Sequence, residues 1–109
     1  MCMRLLVVSR LSLHDNVIKA LRRRGIKEFV DYFKHKQAYT DEKDILQVYN
    51  MEKCDSVAVI SNFSLAVRLM AHGVDTVFVI VPKLHTLTDI VSADVYKING
   101  KVRLEKFTA

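Results

Sequence analysis

Ser56-Val57-Ala58-Val59-Ile60-Ser61-Asn62-Phe63-Ser64-Leu65-Ala66 is the stretch that decides the fold. Its first half is a short, nearly unbroken apolar run, which suits a strand buried on both faces of a sheet. Ser61-Asn62 is a natural turn and helix cap. Beyond it Leu65, Val67, Leu69 and Met70 supply a helix, and Gly73 stops it. A strand that passes through a polar turn straight into a helix is half of a βαβ unit.

The same grammar extends in both directions. Arg4-Leu5-Leu6-Val7-Val8-Ser9 reads as a central strand. Leu13, Val17, Ala20 and Leu21 recur at helical spacing, with Ser12 or Asp15 as the cap and Arg22-Arg23-Arg24 before a terminating Gly25. Lys27 to Phe33 gathers β-forming residues into a second strand. Thr40-Asp41-Glu42-Lys43 is a variant capping box that opens a helix through about Lys53, with Ile45, Leu46, Val48, Tyr49 and Met51 on its apolar side. Asp75 to Val81 is a fourth strand, which Pro82 is expected to end. The tail changes character. Val95-Tyr96-Lys97-Ile98, Asn99-Gly100 and Lys101-Val102-Arg103-Leu104 read as an antiparallel hairpin around a two-residue turn.

The expected fold is therefore α/β: a three-layer, mostly parallel sheet of about four strands with helices on both faces, plus a C-terminal antiparallel β-hairpin. At 109 residues and 50% hydrophobic content the chain supports one core, so residues 1–109 are expected to form a single domain. The longest apolar run, Val77 to Val81, is far short of the ~20 residues that cross a bilayer. The N-terminal apolar stretch is too short for a signal peptide, and a cytoplasmic location is expected. Cys2 and Cys54 have no metal-ligand spacing and read as reduced thiols.

A net charge of +5 and a pI near 9.4 fit a polyanionic partner. In an open parallel sheet the ligand lies outside the strand carboxyl ends, which directs attention to Ser9-Arg10, Asp31 to Lys36, Ser61-Asn62 and Pro82-Lys83. There is no GxGxxG, GxxxxGK[ST] or GxSxG, so dinucleotide, triphosphate and hydrolase-elbow chemistry lack their motifs. Arg22, Arg23 and Arg24 form one candidate nucleic-acid cluster; Lys34, His35 and Lys36 form a second, flanked by Tyr32, Phe33 and Tyr39 as stacking candidates. Arg10, Asn62 and Lys83 complete the set. The bland alternative is a solvated helix end, a charged loop and core aromatics. His14, His35, His72 and His85 are dispersed without metal-ligand spacing.

Read together, the opening strand, Leu21-Arg22-Arg23-Arg24-Gly25, the Thr40-Asp41-Glu42-Lys43-Asp44-Ile45-Leu46 helix start and Val57 to Ala66 resemble the short stand-alone PIN-like nuclease family of toxin–antitoxin pairs. The resemblance covers residues 3 to about 82. It implies a metal-dependent nuclease ancestry, but Val8, Asn62 and Ser64 stand where the family carries acids. Neutral side chains supply too little charge for Mg²⁺ or Mn²⁺. The remaining metal candidates are Asp31, Asp41, Glu42 and Asp44, and acids in a first helical turn are also ordinary capping chemistry. Three functions follow as alternatives: a non-catalytic PIN-like domain that binds RNA or a nucleoprotein partner through its basic surface, with no cofactor; an active metal-dependent ribonuclease; or a protein-interaction module, a homodimer included, that uses the sheet edge after Lys101.

Overall fold

Leu5 and Leu6 are adjacent in sequence and both completely buried, which requires a strand covered on both faces. They lie in β1 (Met3–Val8), the strand about which the molecule is organised. The structure, a computed structural model, describes residues 3–38, 41–100 and 103–109. β1 pairs in parallel with β3 (Ile26–Asp31) on one side and with β4 (Ser56–Ile60) on the other. β4 in turn pairs in parallel with β5 (Thr76–His85). The connections are α1 (Asp15–Arg23), α2 (Glu42–Met51) and α3 (Phe63–Ala71).

Here the architecture departs from the expected one. Among the described residues the sheet is mixed, has seven strands and is curled into a half-barrel, not a mostly parallel four-stranded sheet with an appended hairpin. β6 (Asp89–Asn99) pairs antiparallel with β5 along nearly its whole length. β7 (Arg103–Thr108) pairs antiparallel with β6, and the two-residue β2 (Ser12–Leu13) pairs in parallel with the start of β6. The order is β2-β6-β5-β4-β1-β3, with β7 also beside β6. In a flat sheet β2 would lie four strand spacings from β1, about 19 Å. The four residues from Val8 to Ser12 reach only about 14 Å, so the sheet has to curl.

Pro82 does not end its strand. β4 stops opposite Ile80, and the next bond, from the Ser61 N–H to the Ile80 carbonyl, is the last on that side. Beyond it one flank of β5 needs no donor, and the pairing with β6 slips between Pro82 and Leu84, the kind of bulge where proline is tolerated. The tail pairing runs from Asn99 opposite Arg103 to Asp94 opposite Thr108, not from Ile98 opposite Lys101. Positions 101 and 102, expected in that hairpin, lie outside the described residues.

Two cores sandwich the sheet. Val17, Ala20 and Leu21 of α1 pack on one side with Leu5, Phe78, Ile90, Val95 and Phe107. On the other side Ile45, Val48, Leu65 and Leu69 of α2 and α3 pack on Leu6, Val57, Val77 and Val79. The cap of α1 is His14, whose Nδ1 accepts from the Asn16 N–H at 3.3 Å, because Ser12 is committed to β2. Asp41 caps α2 by accepting from the Lys43 N–H at 2.8 Å; Thr40, expected in that role, is outside the described residues. Among the described residues no helix is long and apolar enough to cross a membrane.

Candidate functional site

From β1 the chain leaves over one face through α1 to β3, and from β4 it leaves over the other face through α3 to β5. The carboxyl ends of β1 and β4 therefore diverge, and a crevice opens between them, as strand-order reversal requires. The structure holds a cleft of about 440 Å³ at that place, lined by Val8, Ser9, Arg10, Leu11, Phe33, Ala38, Val59, Ile60, Asn62 and Leu65. A second cleft of about 210 Å³ lies on the β3 side of β1 and shares Ser9, Arg10 and Leu11 with the first. The segment after β1 is thus a ridge between two hollows.

Local chemistry fixes the ridge. The Ser9 hydroxyl donates to the Leu11 carbonyl at 2.6 Å and accepts the Leu11 N–H at 3.2 Å, a tight turn that throws Arg10 outward. The Arg10 guanidinium lies 4.2 Å from the Phe33 ring centroid and donates through Nη2 to the Gln37 carbonyl at 2.8 Å. Those contacts orient a side chain with five donors and leave others to face the cleft. Across the cleft, Asn62 caps α3 by accepting from the Leu65 N–H at 2.9 Å. The first turn of α3 brings amides that no earlier helical carbonyl can accept, at the positive end of the helix dipole. Ser61, just before the cap, sits at φ 53°, a left-handed conformation uncommon for a residue with a side chain.

The expected site residues separate. Arg10 and Asn62 meet in the cleft, and Lys34 ends the 3₁₀ turn (Tyr32–Lys34) that carries Phe33. Lys36 is held by Asp44 at 3.6 Å and by Gln47, and His35 lies 3.0 Å from Glu52. Lys83 lies 3.5 Å from Asp94, across the β5–β6 ribbon. Arg22, Arg23 and Arg24 sit at the opposite pole. There Arg22 donates to the Lys27 carbonyl at 3.2 Å, and Arg24 pairs with Glu105 and covers Phe107. Tyr32 is not a stacking surface: it is fully buried, its hydroxyl donating to the Ala38 carbonyl at 2.9 Å. Tyr39 lies outside the described residues.

The four candidate metal carboxylates have separate engagements. Asp31 Oδ1 accepts from the Phe33 N–H at 3.0 Å, Asp41 caps α2, and Asp44 faces Lys36. Glu42 lies 3.4 Å from both Arg68 and His72; a backbone hydrogen bond first, then those two partners, hold its carboxyl below the ordinary value. Among the described residues no group of three or more His, Cys, Asp or Glu side chains could hold a metal ion. Leu11 and Ala38 line the cleft without having been anticipated, since neither side chain carries a chemical signal. Comparison of the chain with protein-family models, curated proteins and solved structures finds no match.

Proposed function

We propose that the chain is a non-catalytic RNA-binding domain that grips a single strand in the cleft between the carboxyl ends of β1 and β4. The observation that carries this reading is the meeting of Arg10, Phe33 and the first turn of α3 around one 440 Å³ crevice. Guanidinium and helix-start amides suit a phosphate, and the apolar walls formed by Leu11, Phe33 and Leu65 suit a nucleobase. Lys34 directly follows Phe33, which lines the cleft, in the same 3₁₀ turn. A surface that combines both basic clusters loses support, because Arg24, Lys36 and Lys83 are drawn into ion pairs. Strand scission is not part of the proposal, since the candidate carboxylates serve as caps and ion-pair partners. The nucleic-acid aspect of the PIN-like resemblance is retained and the hydrolytic aspect is not.

The test is fluorescence anisotropy with an eight-nucleotide RNA at 50 and 200 mM salt. Wild type should bind more weakly at the higher salt, with the shallow slope of few phosphate contacts, roughly −0.7 per contact on logarithmic axes. Arg10→Ala and Lys34→Ala should each weaken binding, whereas Arg22→Ala with Arg23→Ala should leave it unchanged although it removes more charge. Loss confined to the Arg22 and Arg23 double variant would move the surface to the other pole and refute the cleft.

A further inference from the structure

The ridge Ser9-Arg10-Leu11 walls two clefts, and only the larger has been given an occupant. The smaller is different in kind. Leu13, Ile18 and Phe29 give it apolar walls, and Asp31 places a carboxylate at its edge. Phe29 is braced from behind by the Arg22 guanidinium, 5.2 Å from its ring centroid. An ionised carboxylate only accepts hydrogen bonds, and with two oxygens it has capacity beyond the single bond Oδ1 takes from the Phe33 N–H. It repels phosphate and asks for a donor. Arg10 stands on the ridge that lines both hollows, its guanidinium against Phe33 of the larger one, so a phosphate held there has a hollow on either side of the ridge.

Resting on the reading above, we infer that the two clefts hold consecutive nucleotides of one RNA strand, with the linking phosphate on Arg10. Asp31 then selects, in the smaller cleft, a base that presents an amino group. The larger cleft contributes affinity, and the smaller contributes sequence preference. Cytosine and uracil test this cleanly, because at the same ring position one carries an N4 amino donor and the other an O4 acceptor.

The experiment compares fluorescein-labelled tetracytidylate and tetrauridylate on wild type, Asp31→Asn, Asp31→Ser and Arg10→Ala at 50 mM salt, with circular dichroism to establish that each variant is folded. Asparagine and serine both remain competent caps for the turn at Phe33, so loss of the cap does not confuse the result. Wild type should favour tetracytidylate by roughly tenfold or more. Both Asp31 variants should bring the ratio to within about twofold while retaining tetrauridylate, and Arg10→Ala should weaken both oligonucleotides together. Equal wild-type affinities that still depend on Arg10 would leave the first cleft standing and overturn the role of Asp31. A cytidine preference that survives both Asp31 variants would overturn it too. Failure of either oligonucleotide to bind wild type would remove the underlying reading and this inference with it.

Discussion

The two poles of the sheet carry hollows of nearly equal size and opposite character. At the carboxyl pole about 440 Å³ is bounded by Arg10, Ser9, Asn62 and Phe33; at the amino pole about 460 Å³ is bounded by Tyr49, Cys54, Asp55, Asp75 and Thr76. Parallel strands alternating with helices send every helix from the first pole to the second, so α1, α2 and α3 direct their positive ends one way and their negative ends the other. Burial pushes the Cys54 thiol up to about 11, with Glu52 and Asp55 adding to the rise against Arg4, and burial followed by Asp55, Cys54 and Asp75 raises the Tyr49 phenol. Cavity size does not mark the binding site for an anion; the sign of what surrounds the cavity does.

The sharpest way to break the contrast is to remove charge at each pole in turn. Arg10→Ala deletes a charge-assisted phosphate contact and should cost about 1.5–3 kcal/mol of RNA affinity, roughly ten- to a hundredfold in Kd measured by anisotropy. Asp75→Asn should cost none, and a comparable loss there would erase the distinction.

Alkaline pH should act on the amino pole. With the folded-state pKa of Cys54 at about 11 against an ordinary 9.0, the unfolded chain gives up its proton first. The contribution is whole below pH 9 and disappears as the pH rises to about 11. The full shift would correspond to ~2.7 kcal/mol, and solvent at the cavity rim leaves roughly 1–1.5. Urea denaturation at pH 8 and pH 10.5 should show that loss in the wild type and a smaller one in Cys54→Ala. Tyr49 changes in the same direction.

Two smaller effects probe the carboxyl pole itself. Tyr32→Phe removes the hydroxyl that holds the Ala38 wall of the cleft and should lower stability by about 1 kcal/mol, read from the urea midpoint. Ser61→Gly relieves the left-handed conformation at φ 53° and should raise the melting temperature slightly, by the equivalent of less than ~1 kcal/mol. A fall on Ser61→Gly would mean that the turn gains more from a stiff unfolded chain than it loses in strain.

The parallel and antiparallel halves of the sheet also differ in how far the sequence foretells them. β1, β4 and the three helices lie within a few residues of the expected places, because apolar periodicity and caps are local signals. In the antiparallel half the tail pairing after Asn99-Gly100 was legible, though not its register; the rest was opaque for physical reasons. β2 has two residues and exists because Asp89 and Ile90 are there to pair with it. Asp89 to Asp94 joins β6 through its partner β5, and Pro82 reads as a stop unless it is known that β4 has already ended. In the site, Arg10 and Asn62 follow from the rule that ligands gather at strand carboxyl ends. Which cations would be neutralised did not follow, since Arg24–Glu105 joins the end of α1 to β7 and Lys83–Asp94 joins β5 to β6, partners that only the tertiary pairing brings together.

The central claim is that RNA binds at the carboxyl pole, and amide chemical-shift mapping addresses it without any substitution. Titrating the ¹⁵N-labelled protein with a short cytidine-containing RNA should move the amides of Ser9, Arg10, Leu11, Phe33, Asn62 and Leu65 and leave Asp55, Asp75 and Thr76 in place. Shifts confined to the amino pole or to the Arg22–Arg24 turn, or none at millimolar RNA, would contradict it.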